Sequence, residues 1–346
     1  MQKLPVSRLP ELFARIDGMK SLYLPVSAGG RRQFGRWTTG TAYDPSRMNT
    51  VKSAKDFFFP QSEDLVFFRS KGKELSITEA KDPAEPFVLF GVRACDAKGL
   101  EALDRVFLSD PVDTFYAARR ENGVVVTMAC AEPEETCFCG AFGVDAAEPG
   151  GDVAAWLAQD TLYWQSRTDK GDALTAALED ILEDADQRDQ GAFAAHKAAI
   201  KAILDDLPLN GLSLEGFGGD ALEALFGSDK WPALSQACIG CGTCTFVCPT
   251  CQCYDIQDFD TGRGVKRFRC WDSCMYSDFT LMAHGNPRTS QVERFRQRFM
   301  HKLVYFPANN EGMYGCVGCG RCVAKCPAFM NIVKVIRTLG VNAHAR

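Results

Sequence analysis

The chain has no run of about 18 apolar residues, so no membrane-spanning helix is expected. Its first residues, MQKLPVSRLPELFARIDG, lack an apolar stretch and a small-residue cleavage site. That argues against a secretory leader and for a cytoplasmic protein. No GxGxxG falls on a strand-to-helix turn and no GxxxxGK[ST] loop occurs, so no flavin, nicotinamide or nucleotide site is expected on this chain. Histidine is scarce: His196, His284, His301 and His344 are the four. None pairs with Asp or Cys at a catalytic spacing, and neither HExxH nor a Ser-His-Asp set is present. All four read as structural or exposed, although His284 and His301 flank a basic segment and could tune a metal group. Excess positive charge is missing too. The 39 Lys and Arg against 44 Asp and Glu leave −5, so no nucleic-acid partner is expected.

What the chain has in plenty is cysteine, 16 in 346 residues. Residues 1–230 hold four and residues 231–346 hold twelve. A disulfide scaffold would be small and secreted, and this chain is neither. Dense cysteine at short fixed spacings in a reducing compartment points to metal or redox chemistry.

Two stretches share one pattern. Cys238, Cys241, Cys244 and Cys248-Pro249 form the first, and Cys316, Cys319, Cys322 and Cys326-Pro327 the second. Each reads C-x2-C-x2-C-x3-C-P, the bacterial ferredoxin run for [4Fe–4S] clusters. Two-residue gaps let a tight loop aim three thiolates at one cluster, while the fourth cysteine serves the other cluster. Gly240, Gly242, Gly318 and Gly320 suit such loops. One cluster is therefore expected on Cys238, Cys241, Cys244 and Cys326, and another on Cys316, Cys319, Cys322 and Cys248. Zinc knuckles are the plainer alternative, but zinc sites use paired cysteines rather than two repeats of a four-cysteine run. Cys248 and Cys316 are 68 residues apart, which suggests a helical ferredoxin domain. Val292, Phe295, Phe299 and Leu303 recur at helical spacing within 291–304, as do Ile332, Val335, Ile336 and Leu339 before a Gly340 stop.

A second set lies upstream. FVLFGVRACD (87–96) and GVVVTMAC (123–130) read as buried strands ending at Cys95 and Cys130, with a helix over 97–107 between them. This βαβ pattern predicts parallel strands with both cysteines at their carboxyl ends, where open α/β sheets bind ligands. Cys137 and Cys139 follow in the loop ETCFCG. A third [4Fe–4S] cluster on Cys95, Cys130, Cys137 and Cys139 stands against a structural zinc site or plain buried thiols. The last four, Cys251, Cys253, Cys270 and Cys274, match no standard spacing. They leave two readings open, a fourth cluster or thiols packed around the first two.

The expected fold class is α+β. An N-terminal α/β-type domain (1–220) would precede a helical two-cluster ferredoxin domain (221–346). DLVFFRS (64–70) and TLYWQSR (161–167) read as further strands, and AGGRRQFGRW (28–37) as a loop. Helices are expected over 173–186 and 190–206, with 211–220 as a linker and with Asp220 and Glu223 capping the helix 221–226. Residues 261–302 carry nine Lys or Arg against three acidic residues. Such a run could stabilise reduced, anionic clusters, dock an acidic partner, or simply face solvent.

Taken together, FFFP (57–60), GVRACD (91–96), CFCG (137–140), CIGCGTCTFVCPTCQC (238–253), RCWDSC (269–274), NPR (286–288), RFRQRFMHK (294–302) and GCVGCGRCVAKCP (315–327) resemble two related families. These are the iron–sulfur β subunit of cytoplasmic sulfhydrogenases and the corresponding iron–sulfur subunit of anaerobic sulfite reductase. The matching pieces cover most of 55–140 and 238–327. The resemblance implies a hetero-oligomeric electron-transfer subunit. It would work between a flavoprotein subunit that handles NAD(P)H and a terminal catalytic subunit of hydrogenase, sulfite reductase or heterodisulfide-reductase type. It also implies that Cys95, Cys130, Cys137 and Cys139 act together. The alternative is an enzyme that itself reduces a disulfide or sulfur substrate at Cys251, Cys253, Cys270 and Cys274. The chain lacks the adjacent cysteine pair of heterodisulfide reductases, which weighs against it.

Overall fold

The computed structural model describes residues 1–41, 43, 49–80 and 85–341; His344 lies outside them. Its strands are β1 (Gln2–Pro5), β2 (Ser21–Ala28), β3 (Arg31–Arg36), β4 (Ser62–Lys71), β5 (Glu74–Glu79), β6 (Phe87–Arg93), β7 (Gly123–Met128), β8 (Val153–Ala158), β9 (Thr161–Ser166), β10 (Glu183–Asp184), β11 (Tyr254–Asp260) and β12 (Val265–Trp271). The larger sheet runs β10-β1-β9-β8-β7-β6-β2-β3. Its centre is parallel, from β8 through β7 and β6 to β2, and its flanks are antiparallel. Every residue of β6 and β7 is buried, which explains their unbroken apolar runs: a central parallel strand is covered on both faces. Val88, Phe90, Val124 and Val126 pack with the helix Leu9–Met19 on one face. Leu89 and Val125 pack with Leu100 and Leu103 of the helix Ala94–Phe107 on the other. The βαβ unit read from the sequence is present, with β6 and β7 parallel.

The smaller sheet is antiparallel, in the order β11-β12-β4-β5. Strand β4, read from the sequence as a further strand, pairs with β12 and β5 and lies outside the larger sheet. The β11–β12 hairpin comes from the segment between the two cysteine runs, so this sheet ties the amino-terminal half of the chain to the carboxyl-terminal half.

Several local expectations change. The segment 28–37 is not a loop, because Arg31–Arg36 closes a hairpin on β2 around Gly29 and Gly30. The helix expected over 173–186 is only Asp169–Ala176. Turns follow it, yet Leu178, Ile181 and Leu182 stay buried, because apolar spacing records which side chains face the core and not the backbone between them. The next helix is Gln187–Asp205, opened by a reciprocal Asp186–Asp189 capping box. Asp220 and Glu223 are not caps, since no side chain caps the helix Leu222–Phe226. Residues 211–220 form no free linker, for Leu212, Leu214 and Phe217 pack on the carboxyl-terminal core. That core centres on Trp231, Phe295, Phe299, Leu303 and Ile336. The helix Gln291–Met300 continues as a π-helical turn over His301–Tyr305, and Ile332–Leu339 closes the domain.

Candidate iron–sulfur sites

Each ferredoxin-type run bends into a loop and then a short helix, Thr243–Phe246 in the first and Arg321–Lys325 in the second. The helix carries the fourth cysteine away from the first three. As a result, Cys238, Cys241 and Cys244 line one cavity of about 400 Å³ together with Cys326 of the other run. Cys316, Cys319 and Cys322 line a second, of about 310 Å³, together with Cys248. The second loop is clamped. A Cβ on Gly318, whose φ is +60°, would stand 2.4 Å from the Phe138 carbonyl oxygen, so only glycine fits under the 136–139 loop.

Two buried cations separate the cavities. Arg298 borders both, and Lys302 borders the second. Arg298 Nε donates to Cys244 Sγ at 3.0 Å, and Lys302 Nζ to Cys248 Sγ at 3.2 Å. Burial opposes the charge on each, yet the neighbouring thiolates outweigh it and hold both well above their ordinary pKa. Arg298 Nη1 is buried without a hydrogen-bond partner among the described residues. A buried guanidinium with a free donor calls for negative charge beside it. The basic run is therefore divided: Arg269, Arg298 and Lys302 are buried, whereas Arg263 and Arg267 are exposed. Arg269 is buried between Glu63 and Asp113, and Arg267 and Lys266 pair with Asp258 and Asp64.

The upstream cysteines also converge. Cys95, at the start of the helix after β6, packs with Cys130 and Cys139 around Val317 of the second run. The Cys137 thiol donates to the Cys319 carbonyl oxygen at 3.8 Å. Arg93 is buried against this group, 3.9 Å from the Asp96 carboxylate. Its Nε has no hydrogen-bond partner among the described residues. Burial pushes the Cys130 thiol up to about 11 and Cys139 up to about 12. These thiols therefore stay protonated until a cation draws them into coordination. Beside them, Arg321 of the second run makes a buried bidentate pair with Asp96, Nη2 to Oδ2 at 2.7 Å, and donates through Nε to the Thr50 carbonyl.

The last four cysteines divide. Cys251, Cys253 and Cys274 line a third cavity, with Arg298, Lys302 and His301. Cys270 lines a surface groove with Tyr254, Asp255 and Asp272. His301 thus borders a thiol-lined cavity, whereas His284 is exposed. Sequence reasoning missed Lys55, Arg93 and the Asp96–Arg321 pair. Lys55 Nζ donates to the Cys251 carbonyl at 2.8 Å and sits 3.6 Å over the Trp271 ring. GVRACD contains Arg93 at the end of a buried strand and Asp96 in the first turn of the next helix, and these two charges were the available signal.

All sixteen cysteines are free thiols. Among the described residues, no three or more His, Cys, Asp or Glu side chains gather tightly enough for a single metal ion. A zinc site needs four ligands within about 2.3 Å of one point. Thiols spaced around cavities, with buried cations behind them, suit a larger anionic metal–sulfur group instead. When bound, such a group accepts and releases single electrons.

Residues 237–330 match the family model described as a 4Fe-4S dicluster domain. Over 337 residues the chain is 34% identical to Sulfhydrogenase 2 subunit beta of Pyrococcus furiosus, covering 96% of each chain. No solved structure matches. Among the described residues, no helix is long and apolar enough to cross a membrane.

Proposed function

Because the chain belongs to the family of sulfhydrogenase β subunits, an iron–sulfur electron-transfer subunit, we propose that it carries electrons between a flavoprotein subunit that oxidises NAD(P)H and a terminal catalytic subunit of one cytoplasmic complex. Three [4Fe–4S] clusters would do this. They would sit on Cys238, Cys241, Cys244 and Cys326; on Cys316, Cys319, Cys322 and Cys248; and on Cys95, Cys130, Cys137 and Cys139.

The succession of thiol sets carries the reading. The upstream set touches the second run through Val317 and Cys319. The second cavity shares Arg298 with the first. The first reaches the surface, where Cys241 is exposed and the neighbouring Ile239 and Phe329 are 68% and 74% exposed. A line of sites from the interior to an apolar exposed end is what a relay between two partners needs. Within it, the chain's own residues hold thiolates, supply compensating charge and exclude water.

The test uses the anaerobically purified chain. NADPH alone should leave its iron–sulfur absorbance unchanged, and adding the flavoprotein subunit of its complex should bleach it. Cys322→Ser should then stop transfer to the terminal subunit. Direct reduction by NADPH, or full transfer through the Cys322→Ser variant, would contradict the proposal.

A further inference from the structure

The cavity lined by Cys251, Cys253 and Cys274 takes no part in the path above. Like the cavity between Cys248, Cys316, Cys319 and Cys322, it is lined by several thiols. It shares Arg298 and Lys302 with that cavity, so compensating charge is already in place. Three thiols leave a four-iron group one ligand short. The remaining lining offers few candidates. Arg298 and Lys302 are cations and cannot ligate. The Thr250 hydroxyl is engaged, donating to the Gly315 carbonyl at 2.6 Å and accepting from Lys302 at 2.9 Å.

His301 remains. Among the described residues, no hydrogen bond involves either of its ring nitrogens. It opens the π-helical turn His301–Tyr305, and such widened turns inside α-helices are concentrated at functional positions. Cys270 is turned away. Side chains alternate along β12, which puts Cys270 on the opposite face from Trp271. Trp271 is the residue that packs against Lys55, and Lys55 in turn bonds the Cys251 carbonyl.

We propose that this cavity binds a further iron–sulfur cluster through Cys251, Cys253, Cys274 and His301, with Cys270 outside the ligand set. The inference rests on the relay reading, since the same chemistry loads every site. Imidazole is a good iron ligand, and replacing one thiolate by it leaves the group one negative charge smaller. The cluster would adjoin the second one, because Thr250, Arg298, Lys302 and Gly315 border its cavity while Cys248, Arg298 and Lys302 border the next.

The experiment compares anaerobically purified full-length chain with and without ¹⁵N-labelled histidine, by pulsed EPR of the reduced protein. Iron, acid-labile sulfide and zinc are counted in parallel. A directly bound nitrogen should couple to a reduced cluster and change with the isotope. That coupling should vanish in His301→Ala and persist in Cys270→Ser. Cys253→Ser should lose one cluster's worth of iron and sulfide while the ferredoxin-type signals remain. Absence of nitrogen coupling in the wild type overturns the proposal and leaves the three-cluster relay standing. So does a zinc ion lost with Cys253→Ser in place of iron. Absence of the ferredoxin-type signals from the wild type would overturn the relay reading as well.

Discussion

Runs 238–249 and 316–327 repeat one spacing, yet the chain wraps them differently. The residue after the first cysteine is Ile239 in one and Val317 in the other, 68% and 3% exposed. The residue before the third cysteine is Thr243 in one and Arg321 in the other. Thr243 only accepts from the Cys241 thiol, at 3.4 Å, whereas Arg321 is buried against Asp96 and Thr50. In the outer site the Arg298 guanidinium donates to Cys244 Sγ at 3.0 Å, and the neutral Gln291 amide to Cys238 Sγ at 3.3 Å. In the inner site the Lys302 ammonium donates to Cys248 Sγ at 3.2 Å. Spacing sets where thiols go, and the surroundings set what a cluster held there would feel. An inner site braced by charge suits an internal relay, and an outer site with an apolar exposed rim suits exchange with a partner.

The largest effect should come from breaking the crossed ligation. Cys248→Ser should deplete the inner cluster although Cys248 belongs to the outer run, and Cys326→Ser should deplete the outer one. EPR of the two variants would distinguish them, and depletion of the cluster on the residue's own run would refute the crossing. Next is the anchor that only the inner run has. Arg321→Met takes both hydrogen bonds of the bidentate pair from buried Asp96 and should cost about 3 kcal/mol, against under about 1 kcal/mol for Thr243→Ala. Thermal unfolding of the anaerobic proteins measures both. Equal losses would mean that the two loops are held alike.

Smaller shifts should appear in the potentials. Lys302→Met should lower the inner cluster's potential by about 60 mV or more, a factor of ten in a one-electron equilibrium. Gln291→Ala should move the outer cluster by about half as much, since a neutral donor is roughly half as strong as a charged one. A potentiometric titration that finds the reverse order would remove Lys302 from its assigned role.

Much of this was legible in the sequence. The two runs, the βαβ unit and the convergence of residues 95–139 follow from local spacing, which covalent geometry converts directly into position. Partnerships across the chain were not legible. Nothing near Arg298 or Lys302 in sequence marks them as buried, because the thiols they serve lie 54 residues earlier. The basic run therefore read equally well as a solvated face. Strand β4 carried a strand pattern but no indication that its partner would be β12, some 200 residues later. The segment 28–37 misled for a related reason: its arginines suit an exposed edge strand as well as a loop.

The most direct measurement of the central claim is EPR of the fully reduced, anaerobic wild-type chain. Neighbouring cavities that share Arg298 should yield [4Fe–4S] signals broadened by spin–spin interaction between clusters, and narrowing when Cys241→Ser removes the outer one. Sharp, non-interacting signals in the wild type, or no cluster signal at all, would contradict a continuous relay.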